Sequence, residues 1–277
     1  MNILVTLNSG YVYPLTVMLH SMMQTNPATR FTIYVAHSSL TPSDFAKIRA
    51  SVDPGRCRIV GIAVPDSLFG EAACKKRLSK ETYYRLYAAE FLPREVNRIL
   101  YLDPDIVING NLNELYYTDM GNKLFAAASH NNRLINSFNI RRLEMNKNSK
   151  YSNAGVMLIN LALLRSENRT EELMDYLEEN NSRLLLEDQD VFNALYSGRT
   201  LSLDPNIFNM DELTFTRLKR RLGYGGAMNF ARNRTVIIHF NGKNKPWNGG
   251  YKGNLSEFFE INREGRNNIC TLYREVG

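Results

Sequence analysis

The sequence predicts an α/β protein in which helices cover both faces of a doubly wound, mostly parallel sheet. The main observation is that short apolar runs, typical of buried strands, alternate with longer segments of helical spacing. The chain has 277 residues, of which 44% are hydrophobic, so it can form one large unit with a sizeable core. It contains no internal repeat, low-complexity run or composition change that would mark a linker. We therefore expect a single domain over residues 1–277.

The apolar pattern of a buried strand appears, in chain order, in Asn2–Leu7, Phe31–Ala36, Arg58–Ala63, Ile99–Leu102, Leu124–Ala128, Val156–Ile159 and Val236–Phe240. Helical spacing appears between them, in Tyr13–Gln24, Thr82–Phe91, Thr170–Glu179 and Val191–Tyr196. One more helix has a clear start, because Thr41 is a good N-cap, Pro42 suits the first helical position and Asp44 completes a capping box. The C-terminal residues are polar and helix-prone, so we expect them to pack across the sheet or form a lid.

The cysteines, the N-terminus and the net charge limit the class of protein. The three cysteines, Cys57, Cys74 and Cys270, are odd in number and lack motif spacing, which argues against a disulfide framework and suits a reducing compartment. The N-terminus does not resemble a signal peptide, and the longest apolar stretch, Gly155–Leu164, is too short to span a bilayer. These features predict a cytoplasmic protein. A net charge of +6 fits a nucleic acid, an anionic membrane surface or a phosphorylated substrate, and does not choose among them.

Asp103-Pro104-Asp105 directly follows a predicted strand. In open α/β sheets, ligands bind beyond the carboxyl ends of the strands. Pro104 favours an extended backbone at Asp103, and in an extended segment residues two apart face the same way. Two adjacent carboxylates repel, so Mg²⁺, Mn²⁺ or Ca²⁺ would stabilise both. An isolated Asp-x-Asp is more often an ordinary solvated turn, and other segments must decide.

The segment Ile237–Trp247 combines an imidazole, a glycine turn and a cation. His239 closes an apolar strand, Gly242 opens a turn, and Lys245 carries a compact charge suited to a phosphate. An imidazole that joins two carboxylates shifts the expected metal from Mg²⁺ toward Mn²⁺. Taken alone, a histidine at a strand end is more often a hydrogen-bonded structural residue.

Three further features suggest ligand contacts. Residues 187–190 read Glu-Asp-Gln-Asp before a helix, and three acids in four positions exceed what a helix cap needs. Residues 153–155 read Asn-Ala-Gly before a strand, and small residues there let a ligand approach the backbone. Arg85 lies on an apolar helix face, so it needs an anionic partner unless its charge reaches solvent. Each feature also has a plain structural interpretation: a helix cap, a loop-to-strand join and a surface arginine.

The segments TYYRLY, LYLDPDIVI, YSNAGVMLIN, EDQDVFN and IIHFNGKNKPW, together and in this order, resemble glycosyltransferase family 8. This is the retaining group that includes glycogenin and bacterial lipopolysaccharide galactosyl- and glucosyltransferases, and the resemblance runs from Asn2 to about Tyr251. It is closest to the bacterial lipooligosaccharide galactosyltransferases. The resemblance implies a GT-A fold, with a catalytic core over residues 1–250 and a helical extension over 251–277. It also implies transfer of galactose or glucose from a UDP-sugar to a saccharide or glycolipid acceptor, in lipopolysaccharide or another cell-surface glycan.

The resemblance also implies a role for each site residue. Asp103, Asp105 and His239 would hold Mn²⁺, with Mg²⁺ as the alternative, against the UDP diphosphate. The other donor-binding residues are Thr6, Asn8 and Tyr11 for uridine, Pro104 within the metal-binding turn, Gly242 and Lys245 for the phosphates, and Arg85, Asn153, Ala154, Asp188 and Gln189 for the sugar. Arg85, Asp188 and Gln189 are the catalytic candidates. Retention needs either a nucleophile beneath the anomeric carbon, such as Asp188 or its neighbour Gln189, or front-side attack by the acceptor, and the sequence leaves these open.

Two positions depart from the family pattern. Members often have an aspartate at the position of Asn8, where it accepts from the uracil N3–H, and an asparagine can accept or donate. Gly10 stands where a polar residue is usual, which removes a side-chain contact to the nucleotide. We therefore expect base selectivity to be less secure than the metal site.

Two other classes of function remain open at this point. An Asp-x-Asp after a strand also serves metal-dependent nucleotidyltransferases and phosphohydrolases. The basic run Arg217, Lys219, Arg220 and Arg221 could belong to a nucleic-acid-binding module, but it has few interleaved aromatics. We expect it to be a solvated helix face, or an electrostatic contact to a membrane or acceptor, and expect no nucleic-acid partner. Acceptor loops are expected within Ser129–Lys150 and Thr216–Arg234, while the acceptor, the choice of galactose or glucose and the oligomeric state stay open.

Overall fold

The computed structural model describes residues 1–68, 80–129, 133–180 and 184–275. Its main sheet has seven strands in the order β3-β2-β1-β4-β7-β6-β8, and a smaller sheet pairs β5 with β9. The strands are β1 (Asn2–Thr6), β2 (Phe31–His37), β3 (Cys57–Ala63), β4 (Arg98–Leu102), β5 (Ile106–Ile108), β6 (Phe125–Ser129), β7 (Ser152–Asn160), β8 (Thr200–Leu203) and β9 (Ile237–His239). All seven predicted strands are confirmed, within a few residues at their ends. The short strands β5 and β8 were not predicted.

The direction of the strands determines where the site forms. In the main sheet β7 runs antiparallel to both neighbours, β4 and β6, whereas the other pairs are parallel. The carboxyl ends of β1 and β4 therefore meet the beginning of β7 at one edge of the sheet. A backbone hydrogen bond of 2.8 Å from Asp103 N to Gly155 O extends this pairing past the end of β4. The prediction of a mostly parallel sheet is confirmed.

Helices cover both faces of the sheet. They are α1 (Val12–Thr25), α2 (Pro42–Arg49), α3 (Ala88–Phe91), α4 (Asn113–Tyr116), α5 (Arg133–Arg142), α6 (Leu161–Glu167), α7 (Thr170–Asn180), α8 (Glu187–Tyr196), α9 (Pro205–Phe208), α10 (Glu212–Arg234) and α11 (Ser256–Glu275). The capping box of α2 is present as predicted, with reciprocal bonds between Thr41 and Asp44. The apolar stripe of α1, including Leu15 and Met18, is fully buried against the sheet.

The predicted helix over Thr82–Phe91 is wrong as one continuous helix. The structure has short 3₁₀ segments, Lys80–Thr82 and Tyr84–Tyr87, before α3. Bulky aromatic residues fill this segment, and Arg85 Nε donates to the carbonyl of Thr82 at 2.9 Å. The Arg85 side chain contacts this carbonyl, and the 3₁₀ backbone is wound more tightly than an α-helix. The Arg85 side chain therefore points into the site and does not lie along a regular helix face.

The C-terminal helix packs against the first helix of the chain. Phe258 and Phe259 of α11 are buried, and Phe259 contacts Phe240 and Trp247. The predicted division of the domain after residue 250 stays a prediction. Cys57 is a buried free thiol; Cys74 and the side chain of Cys270 lie outside the described residues. Among the helices described, none is long and apolar enough to cross a membrane.

Arg165 closes the turn that leads into β4. Its guanidinium, on α6, donates to the carbonyls of Ala89, Leu92, Pro93, Arg94 and Val96 at 2.9–3.2 Å. Ala89 is in α3, and the other four carbonyls belong to the connection between α3 and β4, where little regular structure satisfies them. The planar fork of one arginine therefore fixes the approach to β4, the strand that Asp103 follows.

We expect Arg165→Lys to lower the free energy of unfolding by about 2 kcal/mol, because one ammonium cannot reach all of these carbonyls. Urea denaturation followed by circular dichroism measures the change. Arg141→Lys, an exposed arginine on α5, is the matched control and should leave the midpoint unchanged. Equal midpoints for the two variants would show that Arg165 is not needed to hold the turn.

Candidate active site

Two connected pockets lie at the edge where β1 and β4 end and β7 begins. The first is lined by Thr6, Leu7, Asn8, Tyr11, Glu81, Thr82, Arg85, Tyr101, Asp103, Pro104 and Asp105. The second is lined by Arg85, Asp103, Asp105, Asn153, Ala154, Gly155, Leu185, Leu186, Asp188, Gln189, His239, Asn241 and Gly242. Arg85, Asp103 and Asp105 belong to both. All the residues that the sequence predicted for the site line these pockets, except Lys245, which contacts Asp105.

Asp103, Asp105 and His239 form the centre of the site. One ligand atom from each lies within 4.8 Å of the others, and His239 Nε2 is 3.1 Å from Asp105 Oδ1 and 3.6 Å from Asp103 Oδ2. The small sheet brings them together, because β5 directly follows Asp105 and pairs Ile106 with His239 of β9. The structure thus joins residues that are far apart in sequence.

This cluster fits a divalent cation. His239 Nδ1 lies 2.8 Å from Asn209 Oδ1, which can accept its proton, so Nε2, the nitrogen that faces the two carboxylates, is the one available to a metal once it has lost its own proton. Two carboxylates and one imidazole are a donor set for Mn²⁺ or a related ion. The sequence did not single out Asn209, because nothing local marks it as the partner of a histidine thirty residues away.

Asp103 has fixed partners on its other oxygen. Tyr101 donates to Asp103 Oδ1 at 2.5 Å, and Arg85 Nη1 lies 3.0 Å from the same oxygen. Burial raises the pKa of Tyr101 well above its ordinary value, so its hydroxyl keeps the proton that it donates. The hydroxyl of Thr6 lies 3.1 Å from Tyr101 and links the end of β1 to this carboxylate.

Gly155 sits where two of the metal-ligand side chains come closest to the backbone of β7. A Cβ at this position would lie 2.6 Å from Asp103 Oδ2 and would also overlap the His239 ring. The small residues predicted to admit a ligand therefore have a second purpose here. At Gly155 the absent side chain makes room for the cluster itself.

Arg85 connects the two pockets. Its Nε lies 3.0 Å from Asp188 Oδ2, its Nη1 donates to the carbonyl of Ala154 at 2.6 Å, and it stacks 4.5 Å over the Tyr101 ring. Burial alone would lower the pKa of this guanidinium, but Asp103 and Asp188 outweigh burial and raise it. In the structure the anionic partners of Arg85 are therefore Asp103 and Asp188.

Asn153 and Ala154 face the first turn of α8. Gln189 Oε1 accepts from Asn153 Nδ2 at 3.1 Å and from Ala154 N at 3.3 Å, while Gln189 Nε2 donates to the hydroxyl of Tyr151 at 3.0 Å. The acid-rich turn thus has distinct partners for its side chains, and the second pocket has both a charged and a neutral oxygen on one wall.

Lys245 forms an ion pair with Asp105 and donates to the carbonyl of Phe240 at 2.8 Å. Burial would raise the pKa of Asp105, but the charges and hydrogen bonds of His239 and Lys245 hold it well below its ordinary value. Gly242 begins the turn that returns Lys245 to the site, and its φ of +88° is a conformation that favours glycine.

The residues expected at the base lie in the first pocket. Asn8 caps the 3₁₀ turn Ser9–Tyr11, and its Oδ1 accepts from Gly10 N at 3.0 Å. One lone pair of this oxygen is therefore engaged locally, and its second lone pair and the amide nitrogen are left for a ligand. Tyr11 is held edge-on by Trp247, with ring centroids 5.9 Å apart.

The comparisons with known proteins agree with this geometry. The family model described as Glycosyl transferase family 8 matches residues 2–250. The chain belongs to glycosyltransferase family 8. Its relatives include the lipopolysaccharide 1,2-glucosyltransferase of Escherichia coli K12, 24% identical over 250 residues that cover 89% of this chain and 72% of that protein. The lipopolysaccharide 1,3-galactosyltransferase of Salmonella typhimurium is 23% identical over 262 residues, which cover 93% and 76%.

Solved structures of other glycosyltransferases show the same fold. The galactosyltransferase LgtC, in complex with donor and acceptor sugar analogues, superposes with a TM-score of 0.81 at 22% identity, covering 96% of each chain. The glycosyltransferase GlyE of Streptococcus pneumoniae gives a TM-score of 0.73 at 20% identity, covering 99% of this chain and 63% of that one. The predicted GT-A fold is confirmed.

Membership in family 8 determines the class of reaction. The chain is a glycosyltransferase, and enzymes of the family use a nucleotide-sugar donor and a saccharide acceptor and depend on a metal. The predicted family and enzyme class are confirmed. The alternative of a nucleotidyltransferase or phosphohydrolase is not favoured, because the match extends over both pockets.

The structure of this site predicts how its affinity for a metal depends on pH. Burial of the His239 ring would lower its pKa, but Asp105 and Asp103 outweigh burial and raise it above its ordinary value. A raised pKa keeps the ring protonated to a higher pH, and a protonated Nε2 cannot bind a metal. We therefore expect the affinity for Mn²⁺, measured by calorimetry with UDP present, to rise between about pH 6 and pH 8. Asp105 stays ionised throughout this range.

The control variant is His239→Asn, because an asparagine side chain does not titrate in this range of pH. It should bind Mn²⁺ more weakly and with a flatter dependence on pH. If the affinity of the unsubstituted protein did not change over this range, His239 would not be a ligand of the metal.

Proposed function

We propose that this enzyme transfers galactose or glucose from a UDP-sugar to a saccharide or glycolipid acceptor of lipopolysaccharide or another cell-surface glycan, with retention of configuration. Mn²⁺ is the proposed metal at Asp103, Asp105 and His239, with Mg²⁺ as the alternative. The observation that best supports this proposal is that the two pockets share Arg85, Asp103 and Asp105. A nucleotide in the first pocket would direct its diphosphate at these carboxylates and its sugar into the second. The named activities of the Escherichia coli and Salmonella relatives support a hexose donor.

The chemistry requires positive charge where the nucleotide leaves. Departure of UDP builds negative charge on the β-phosphate, and a bound divalent cation would neutralise part of it. Lys245 would supply a further charge, because its long side chain can exchange Asp105 for a phosphate oxygen without moving the backbone. Gly242 would let the turn approach the phosphates, since it has no side chain on that path.

The base and ribose are assigned to the first pocket. Tyr11 would stack on uracil, while Thr6 and Asn8 would provide polar contacts. The hydrogen bond from Gly10 leaves Asn8 with one acceptor lone pair and a free amide group. We infer that Asn8 can read uracil through either group, so this position supports UDP less strictly than an aspartate would.

The sugar is assigned to the second pocket, where Asp188 and Gln189 have different roles. As the bond to UDP breaks, positive charge develops at the anomeric carbon. Asp188 is paired with the buried Arg85, so its charge is partly neutralised and suits electrostatic stabilisation better than attack. Gln189 presents a neutral amide oxygen on the same wall, beside Asn153 and Ala154. We propose that Asp188 stabilises charge and that Gln189 oxygen is the group held toward the sugar.

Two substitutions, each of which replaces an aspartate with a neutral asparagine, distinguish the role of the metal site from that of the sugar site. Asp105→Asn should abolish both turnover and Mn²⁺-dependent UDP binding, because it removes a metal ligand. Asp188→Asn should lower turnover strongly and leave UDP binding nearly unchanged, since UDP has no sugar to contact it. The measurements are donor hydrolysis over a panel of nucleotide sugars with Mn²⁺, and calorimetry with UDP.

The panel also tests the proposed function itself. UDP-galactose or UDP-glucose should be consumed with release of UDP, and EDTA should stop the reaction. Release of pyrophosphate or inorganic phosphate instead, or full activity in EDTA, would contradict the proposal. If Asp188→Asn weakened UDP binding as much as turnover, Asp188 would belong to metal binding or folding.

We also propose a peripheral contact with anionic membranes through α10. Lys219, Arg220 and Arg221 are exposed there, beside the exposed Leu222 and Tyr224 at a helix break. Exposed apolar side chains next to a basic run suit an interface that contains anionic lipid. Such a contact would bring the enzyme to a glycolipid acceptor.

Cosedimentation with vesicles that contain anionic lipid measures this contact. Arg220→Glu combined with Arg221→Glu should reduce binding severalfold, because each substitution reverses a charge near the surface. Arg30→Glu combined with Arg49→Glu changes the charge equally at exposed positions elsewhere and should leave binding almost unchanged. Equal losses in the two variants would mean that only the net charge matters.

A further inference from the structure

Asp190 is the most completely buried acid of the site region, and the proposed chemistry does not use it. Its side chain has no solvent exposure. Arg142 donates to both of its oxygens, at 2.7 and 2.8 Å, and the backbone N–H groups of Leu185 and Leu186 donate to Oδ2 at 2.6 and 2.8 Å. Tyr151 donates its hydroxyl to Oδ1 at 2.7 Å. Every one of these partners is a hydrogen-bond donor.

These bonds determine where the proton of Tyr151 lies. Burial would raise the pKa of Asp190, but Arg142, the backbone donors and Tyr151 outweigh it and lower the pKa, so the carboxylate is ionised and can only accept. Burial and Asp190 raise the pKa of Tyr151, so the hydroxyl keeps its single proton. That proton is committed to Asp190. Toward any other neighbour, the oxygen of Tyr151 can therefore only accept.

The neighbour is the amide of Gln189. An acceptor at Tyr151 requires the NH₂ group of Gln189 to face it, at 3.0 Å, and this turns Oε1 to the opposite side. There Oε1 accepts from Asn153 Nδ2 and Ala154 N. A flipped amide would place its NH₂ against the N–H of Ala154 and its oxygen against a hydroxyl that has no proton to give. Both ends of the amide thus favour the same orientation.

We propose that Asp190 and Tyr151 are positioning residues, which together orient the Gln189 amide so that its oxygen, and not its nitrogen, lies on the wall of the sugar pocket. This inference rests on the proposed function, because it assigns the donor sugar to that pocket. Asp190 acts through Tyr151 and does not touch the sugar. Its salt bridge with Arg142 holds it in place from α5.

The alternative is that Asp190 only caps α8 and fixes the preceding loop through Leu185 and Leu186. The substitution Tyr151→Phe separates the two explanations, because it removes one hydroxyl and leaves the other bonds of Asp190 intact. A phenylalanine of the same shape should fold normally. The hydroxyl's bond to Asp190 and its restraint on the Gln189 nitrogen are lost, and only the donors of Asn153 and Ala154 still hold the amide oxygen, so the amide can spend part of its time with nitrogen toward the sugar.

The experiment measures donor hydrolysis with UDP-galactose and UDP-glucose in Mn²⁺, for the unsubstituted protein and for Tyr151→Phe. We expect kcat to fall about tenfold in Tyr151→Phe, while KM and the UDP affinity change less than about twofold. Tyr116→Phe is the matched control, because Tyr116 is also buried and its hydroxyl bonds Asn2 N and Arg98 O away from the site. It should leave kcat unchanged.

A double substitution gives the decisive comparison. If Tyr151 acts through the amide, adding Tyr151→Phe to Gln189→Leu should cause no further loss of kcat. Equal kcat for Tyr151→Phe and Tyr116→Phe, or full additivity with Gln189→Leu, would overturn the proposal. If the unsubstituted protein consumes neither UDP-sugar, the proposed function fails, and that result is distinct from a failure of the positioning role.

Discussion

The structure of this site depends on the cost of burying negative charge at the end of β4. Asp105 is almost inaccessible to solvent, and an unpaired carboxylate in such a place is strongly unfavourable. Each carboxylate is therefore surrounded by donors from separate parts of the chain. The donors are Tyr101 and Arg85 for Asp103, and His239 and Lys245 for Asp105. They are brought to the site by the small sheet of β5 and β9, the turn at Gly242 and the 3₁₀ segments before α3.

The two permanent cations of the site differ in how firmly they are held. Arg85 is fixed by two acids, two carbonyls and the face of Tyr101, so its position barely depends on a ligand. Lys245 contacts one carboxylate and one carbonyl, and its Nζ lies 5.7 and 6.0 Å from the ring centroids of Trp247 and Tyr11, at the end of a flexible stem. A planar fork with many partners suits a framework, whereas a single ammonium can change partners at low cost. Under the proposed function, we therefore expect Arg85 to keep its place and the Lys245 side of the site to rearrange for a diphosphate.

The sequence predicted the strands that carry the site better than the helices around it. Apolar runs in the sequence mark β1 to β4, β6, β7 and β9. The strand β5 has only three residues, too few for any periodicity to show. The segment before α3 has the apolar spacing of a helix, but its backbone follows the needs of Arg85 and its bulky aromatic neighbours. The local sequence pattern shows which faces of an element are apolar, whereas tertiary contacts determine whether the backbone of that element is regular.

The residues predicted to have a ligand role lie at the two pockets or contact their lining, but most of their supporting partners were not predicted. Tyr101, Asn209 and Tyr151 carry no local signal, because the groups that they orient become neighbours only in the folded chain. The acids of α8 are different. Residues two apart on a helix are rotated by about 200° about its axis, so their side chains lie on nearly opposite sides. Asp188 and Asp190 therefore cannot share a partner. One meets Arg85 and the other meets Arg142, and the amide of Gln189, between them, is linked to Asp190 through the hydroxyl of Tyr151.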